Sequence, residues 1–394
     1  MPTSFPILIL KSGHEVHLKN RHHSIFKTAI QTFPQCEDGA IVKVCDTRNA
    51  FLCFATINRK AYICGRVISF EEGDPMETIR KNIERAVVMR QRLVASADTT
   101  AVRLINAEGD GIPGLIVDQY GPVVVVQLTT LGMDKLRTEI VETLFRLVKP
   151  AAIFEKSTSS ARKKEGLQDR EGWLKGKMNT KIEVVERGVK YLIELAGSQK
   201  TGLFIDQREM RSLVRSISKG RTVLDVCSYV GGFSVNALLG GAKTADAVDY
   251  DAAAIARAKE HVAINKLPAA IFGSYAEDAF QFMRKIPLPR QYDFIILDPP
   301  AFAKRSSDLE QAKHAYMDLN RLALQALPSG GLLLTCSCSY QVDVQLFQTL
   351  VFHAARQAKR EVKIIERHRQ AFDHPINLYH PEADYLKSLL LWVE

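Results

Sequence analysis

The 394-residue sequence predicts an α/β protein: a C-terminal doubly wound parallel sheet, preceded by a small all-β barrel and an α+β middle domain. Three observations carry this. From residue 196 onward, apolar strand segments alternate strictly with helical segments. Before residue 73 the chain reads as short strands broken by turns, and between these two regions several strands surround one amphipathic helix. Alternating βα units with apolar strands bury a parallel sheet between helices. Closely spaced short strands with turn residues form small sandwiches or barrels.

The first domain is expected over 1–73, with strands in ILILKSG, EVHL, GAIVKVCD, AFLCFATI and AYICGRVISF. A helix then opens with Asp74 as N-cap, Pro75 at the first helical position and Glu77 completing a capping box; it runs to about Ala95. The middle domain is expected over 74–195. AVRLINAEGDGIPGLIVDQYGPVVVVQL gives three strands, MDKLRTEIVETLFRLVK an amphipathic helix and AAIFEKS a further strand. KIEVVERGVKYLIEL is a hairpin turning at Arg187-Gly188. The third domain, 196–394, reads TVLDVC, TADAVD, AIFGSY, YDFIILD and GLLLTCSC as parallel strands, each followed by a helix; EDAFQFMRKI is the third of these helices. VKIIERHR and LKSLLLWV have no helix between them and suggest an antiparallel edge.

Bulk properties narrow the function. No apolar run reaches the roughly 20 residues that span a bilayer, and the N-terminus lacks the basic flank of a signal peptide. A cytoplasmic location and no membrane partner are expected. The seven cysteines include no CxxC pair, so no metal site is expected, and the four near the N-terminus read as buried filler in strand-like runs. Net charge is +9, and residues 151–221 hold 16 Lys or Arg against 9 Asp or Glu, a surplus of 7. That concentration, including Arg162-Lys163-Lys164, points to a polyanionic partner, with nucleic acid first.

Ligands of open α/β sheets bind at the carboxyl ends of the strands. There the sequence places Asp225, then Tyr229, Gly231, Gly232 and Phe233 in a tight turn, with Asp249 at the end of the next strand. A carboxylate at Asp249 suits the two ribose hydroxyls of a nucleoside cofactor. The turn lacks the G-x-G-x-x-G that brings backbone against a pyrophosphate, and Asp225 suits a cation. S-adenosylmethionine, cationic and free of phosphate, fits, with Asp278 placed for the adenine amino group. The fourth strand ends in Asp298-Pro299-Pro300-Ala301-Phe302, a turn suited to holding a flat base, with Asp298 on its edge and Phe302 as a wall. The adjacent fifth strand carries Cys336, read as packing, and Cys338 at the rim, read as a nucleophile. A thiolate adding to carbon 6 of cytosine activates carbon 5, whereas methylation of an amino group needs no thiol.

These motifs resemble the PUA-containing class I RNA methyltransferases of the ribosomal RNA large subunit methyltransferase I type, which act on carbon 5 of a 23S rRNA cytosine. LKNRHHSIFKTAI resembles the PUA opening, EGDGIPGLIVDQYG the middle-domain signature, and LFIDQREMR, DVCSYVGGFS, LDPPAF and SCSY the catalytic motifs in order. The resemblance implies a PUA barrel, a Rossmann-like methyltransferase sheet, S-adenosylmethionine as cofactor, and Cys338 as the nucleophile beside Asp298. Asp206, Gln207 and Arg208 are implied near the cofactor or the flipped base. Arg21, Lys163, Lys164, Pro299, Pro300 and Phe302 are the expected substrate contacts. His23 and Ser24 depart from the family's Pro and Trp. The expected partner is RNA, as 23S rRNA or a large-subunit particle, and a homodimer is compatible. Two other readings stay open: a guanine methyltransferase that leaves Cys338 idle, and an inactive RNA-binding assembly factor.

Overall fold

The computed structural model describes residues 5–196, 202–285, 287–303 and 305–394. Residues 1–4, 197–201, Ile286 and Lys304, which the expected spans include, lie outside the described residues. Contacts divide the chain into two units that are not contiguous in sequence. One comprises 1–185, 193–205 and 372–383; the other comprises 186–192, 206–371 and 384–394.

In the first unit, β1 (Ile7–Leu10), β2 (Ser24–Phe26), β3 (Ile30–Thr32), β4 (Ile41–Cys45), β5 (Phe51–Ile57) and β6 (Ile63–Ser69) form one sheet in the order β2-β6-β5-β4-β1-β3. A short helix, α1 (Val16–Lys19), lies between β1 and β2. The two edge strands, β2 and β3, are joined by only three residues, Lys27–Ala29. Such a link spans roughly 14 Å at most, so the sheet curls until its edges approach, as a small barrel does. Its core holds Leu8, Val42, Val44, Cys53, Cys64 and Val67. Cys36 departs from the expected strand filler: it is half-buried in a loop, 3.7 Å from the Arg59 guanidinium.

Helix α2 (Pro75–Leu93) begins as the sequence predicts, with Asp74 accepting from the Met76 N–H. Glu77 does not close a capping box but pairs with Lys81 at 2.7 Å, one turn on. Strands β7 (Ala101–Asn106), β8 (Leu115–Tyr120), β9 (Val123–Leu128), β10 (Ala152–Ser157) and β11 (Arg170–Lys175) form a second sheet, β11-β10-β9-β8-β7. Helices α3 (Leu131–Lys135) and α4 (Arg137–Val148) follow β9, and α5 (Ser160–Lys164) follows β10. Helices α2 and α4 bury Ile79, Ile83, Ile140 and Leu144 against this sheet. The hairpin β12 (Lys181–Glu186) and β13 (Val189–Glu194) turns through Arg187 and Gly188, whose φ angles of 48° and 78° are those of a type I′ turn.

The second unit contains α6 (Arg208–Ile217), β14 (Thr222–Val226), α7 (Gly232–Leu239), β15 (Thr244–Asp249), α8 (Ala252–Ile264), β16 (Phe272–Ala276), α9 (Ala279–Met283), β17 (Phe294–Leu297), α10 (Leu309–Ala326), β18 (Gly331–Ser337), α11 (Val344–Ala358), β19 (Val362–His368) and β20 (Lys387–Val393). The strand order is β16-β15-β14-β17-β18-β20-β19, parallel from β16 to β18 and antiparallel at β20 and β19. This is the expected Rossmann-like sheet with its antiparallel edge. The order reverses between β14 and β17, so the crevice for a ligand opens at their carboxyl ends.

Candidate active site

The loop leaving β14 is held in a conformation that side chains ordinarily avoid. Cys227, Tyr229 and Gly231 have φ of 61°, 48° and 71°. Two non-glycine residues in that region store strain of order 1–3 kcal/mol each. The loop is tied from below. The Tyr229 N–H donates to Asp249 Oδ2 at 2.8 Å, and the N–H and Oγ of Ser234 donate to Asp225 Oδ2 at 3.0 and 2.8 Å. A Cβ on Gly231 would lie 2.8 Å from Ala258 Cβ, and one on Gly232 would lie 3.1 Å from Arg211 Cδ. The two glycines therefore let the loop lie close to α8 and α6.

Three of the four predicted acids also serve the backbone. Asp225 anchors the start of α7, Asp249 additionally accepts from the Asp251 N–H at 3.0 Å, and Asp278 caps α9 by accepting from Gln281 at 3.0 Å. Asp298 accepts from Gln207 Nε2 at 3.0 Å. An ionised carboxylate has about four lone-pair sites, so these bonds leave acceptor capacity. Asp225 Oδ1, Ser228 Oγ and Gln207 Oε1 are buried without a hydrogen-bond partner among the described residues. Such orphans cost about 1–3 kcal/mol each unless a ligand satisfies them. Burial raises Asp225 from the carboxylate range to about 7, against the opposing Ser234 hydrogen bonds. A cation there would return it to the charged form. This donor set fits S-adenosylmethionine, whose cationic end Asp225 and whose ribose Asp249 would hold. Tyr250, which the sequence reading passed over, is exposed just beyond Asp249 and offers a ring face for an adenine.

Two predicted cofactor residues are turned into the protein. Arg208 is 1% exposed and lies 3.5 Å from Glu186, beside the Arg211–Glu186 pair at 2.7 Å. Its placement is that of a residue fixing the start of α6. Phe233 is 5% exposed in the first turn of α7, where it packs. Gln207, also predicted toward the cofactor, donates from Nε2 to Asp298 and keeps Oε1 unpartnered among the described residues, and Asp206 accepts from Tyr385 Oη at 2.5 Å.

At the chemistry end, β17 and β18 are parallel neighbours with Leu297 opposite Thr335, which brings both loops to one rim. Cys336 lies inside β18, fully buried, and its thiol is pushed well up by burial; it packs, as expected. Cys338 follows the strand and is half-buried, with Sγ donating to the Pro299 carbonyl at 3.8 Å. Pro299 is buried, Pro300 exposed and Phe302 half-buried. Phe302 packs edge-on against Tyr316 at 4.8 Å.

What holds this rim was not predicted. The Tyr316 hydroxyl lies 2.9 Å from Ser339 Oγ and 3.0 Å from Ser337 Oγ, and Ser339 Oγ accepts from the Ala303 N–H at 3.2 Å. One tyrosine on α10 thus joins the Asp298–Phe302 turn to the chain bearing Cys338. Lys387, on β20, adds one bond to the same rim, donating to the Ser339 carbonyl at 2.8 Å. No single-sequence signal links residues that lie 20 to 50 positions apart.

In the first unit, Arg21 is exposed, 5.7 Å from the Phe70 ring. Of the basic triplet, Lys163 and Lys164 are exposed, but Arg162 is buried, donating to Leu128 O and to Asp134 at 2.7 Å. The expected basic surface is therefore smaller than the charge count, since Lys156, Arg208 and Arg211 are buried as well. Among the described residues, His22, His380 and Glu382 converge with metal-ligand geometry. However, His22 Nδ1 accepts from the Ser24 N–H at 3.2 Å. Its proton therefore sits on Nε2, facing Glu382 at 3.3 Å, the reverse of the arrangement in which a ligating histidine donates from its second nitrogen.

A sequence model of the S-adenosylmethionine-dependent methyltransferase family matches residues 135–391, and one of the PUA-like domain matches 8–70. Ribosomal RNA large subunit methyltransferase I of Erwinia tasmaniensis is 35% identical over 97% of this chain and 98% of its own. The protein of that name from Shewanella denitrificans is 36% identical over 97% and 98%. A solved structure described as a methyltransferase complexed with SAH superposes with a TM-score of 0.84 at 25% identity, covering 98% of this chain and 99% of its own. A SAM-dependent methyltransferase from Streptococcus mutans gives the same values.

Proposed function

The chain belongs to the S-adenosylmethionine-dependent methyltransferase family, and from that premise we propose that it methylates carbon 5 of a cytosine in large-subunit ribosomal RNA through a covalent adduct on Cys338. The observation that carries this is the position of Cys338: half-exposed at the rim, 3.8 Å from the carbonyl of the residue after Asp298. The near-full-length relatives named as ribosomal RNA methyltransferases supply the substrate class.

Bound S-adenosylmethionine supplies an electrophilic methyl group. Asp225 and Asp249 hold its charged end and ribose, with Asp278 placed for the adenine. The target base leaves its stack to enter the pocket, as bases in nucleic-acid-modifying enzymes do. Pro299, Pro300 and Phe302 wall the ring. The Cys338 thiolate adds to carbon 6, forming a C–S bond and pushing electrons through the ring to nitrogen 3. Asp298, fixed by Gln207, supplies the proton taken up there. Carbon 5 is then an enamine carbon and nucleophilic, which aromatic cytosine is not. Methyl transfer to carbon 5 releases S-adenosylhomocysteine; water then takes the carbon 5 proton, the C–S electrons leave with sulfur to restore the thiolate and the aromatic ring, and the proton on nitrogen 3 returns to Asp298.

Replacement of Cys338 by Ala tests this. Expected is a loss of methyl transfer to ribosomal RNA of at least about a thousandfold, with S-adenosylhomocysteine affinity by calorimetry within twofold of the parent. Retained transfer, with the modified base mapping to a guanine, would establish the amino-group reaction instead. Failure of the intact protein to bind S-adenosylhomocysteine would favour a non-catalytic RNA-binding role.

A further inference from the structure

Lys387 opens β20 directly opposite Ser337, the last residue of β18. Its side chain is buried, at 4% exposure. The ammonium donates to the carbonyl of Ser339 at 2.8 Å and to that of Tyr385 at 2.8 Å. Ser339 immediately follows Cys338, so the cation grips the peptide next to the thiol from the strand behind it. A buried lysine is an expensive residue to keep, because desolvation disfavours its charge. Packing alone could be met by an apolar side chain of similar length, so a different need keeps the amine there.

With Cys338 as the nucleophile proposed above, we propose that Lys387 is a positioning residue for it: the buried ammonium pins the peptide that carries the thiol and stabilises the thiolate. Two of its three N–H groups are used by the carbonyls, which leaves one for the rim. The charges around the pair make the role specific. Asp384 and Asp343 face Lys387, and Asp298 precedes the proline whose carbonyl meets Cys338. Carboxylates, where ionised, disfavour a thiolate near them. Cys336 and the Tyr316 phenol also face Cys338, and both are neutral, since burial lifts the Cys336 thiol well up and Tyr316 to about 12. Lys387 is a cation placed to offset the carboxylates. The coupling is mutual: burial lowers Lys387, and the charge of Cys338 raises it. An attacking thiol works best when it is partly ionised at ambient pH, and this pairing produces that state.

The experiment is the pH dependence of Cys338 alkylation by iodoacetamide in the full chain, read by mass spectrometry of the peptide containing residue 338. In the parent protein the midpoint should lie below the ordinary thiol value of about 8.5. Lys387→Met should raise that midpoint by about one unit and slow alkylation at pH 7 about tenfold, with S-adenosylhomocysteine affinity within twofold. Lys387→Arg, which keeps the charge, should restore most of the shift. A parent midpoint at or above the ordinary value overturns the proposal whether or not the Met variant folds, and so does an unchanged profile in Lys387→Met. Cys338→Ala, assayed alongside, separates the two claims. If it still methylates RNA, the nucleophile reading fails although the alkylation shift stands. If it is inactive and the profile is unmoved, only the role of Lys387 fails.

Discussion

Asp225 shows how one side chain serves both fold and ligand. Its Oδ2 anchors the first turn of α7 and its Oδ1 has no partner among the described residues, in a site with no solvent exposure. Its folded value of about 7 lies above the roughly 3.9 of a free aspartate. The sign follows. The native state holds this proton more tightly, so the residue's contribution to stability is present below about pH 4 and is lost as pH rises to about 7. Cofactor binding runs the other way, because the carboxylate is the form that attracts an ammonium or sulfonium. S-adenosylhomocysteine, which retains the ammonium, should therefore bind about tenfold more tightly at pH 8 than at pH 6, as measured by calorimetry. Asp225→Asn should flatten that dependence. A pH-independent affinity in the parent would place the ligand's cation away from Asp225. Cys227, in the same loop, is raised by burial and by the carboxylates near it, and so remains a neutral thiol.

At the scale of elements, the strained loop between β14 and α7 is what makes the site. Gly231→Ala would place a methyl group 2.8 Å from Ala258 Cβ at a φ of 71°. It should cost about 1–3 kcal/mol in thermal unfolding and weaken S-adenosylhomocysteine binding at least tenfold, because the loop can shift only by moving Tyr229 off Asp249. Gly240→Ala is the contrasting case. Its Cβ would meet the Arg215 carbonyl at 2.0 Å, so it should lower the melting temperature at least as much while leaving affinity in the surviving folded fraction within about twofold. Equal affinity losses in both variants would mean that global softening, not loop geometry, governs binding. These elements also mark how far sequence reaches. The βα alternation and the closing antiparallel strands were legible because burial on both faces, followed by an edge, writes itself into local pattern. Asp225, Asp249 and Asp298 were legible as strand-end acids, and Cys338 as a thiol just past its strand. Their division of labour was not, because whether a carboxylate faces ligand, backbone N–H or both depends on the neighbouring loop. Arg208 shows the same limit: the motif resemblance set it near the cofactor or the base, and its ion pair with Glu186 on the hairpin, 22 residues earlier, is written in no local pattern. Tyr316 and Lys387 were invisible for the same reason, since their contacts with the Cys338 rim arise only when α10 and β20 pack.

For the whole molecule, charge decides how the protein meets a polyanion. The formal charge is +9, yet Lys156, Arg162, Arg208 and Arg211 spend theirs inside the protein. Within the Arg162-Lys163-Lys164 triplet, the division of roles is physical. Arg162 secures the short helix α5 from below through Leu128, Asp134 and Gln168. Glu165 at its end bonds Asn58 at 2.7 Å. The two lysines are left on the exposed side of a firmly held turn. No helix among the described residues is long and apolar enough to cross a membrane. If this cationic face binds RNA, each phosphate it neutralises releases counterions and adds roughly 0.7 to the slope of log affinity against log salt for single strands. Reversing both charges, Lys163→Glu with Lys164→Glu, should weaken binding to a large-subunit ribosomal RNA fragment about tenfold or more near 0.1 M salt and reduce that slope by about one to two. The melting temperature and S-adenosylhomocysteine affinity should not move, because among the described residues neither lysine side chain has a hydrogen-bond or ion-pair partner whose loss would destabilise α5. Replacing Arg162 by Met should do the opposite, lowering stability by removing the buried bonds that hold the turn. If the double lysine variant binds RNA with unchanged affinity and slope, the RNA contacts of this chain lie on another surface, and the basic surplus of residues 151–221 is spent on folding and solubility alone.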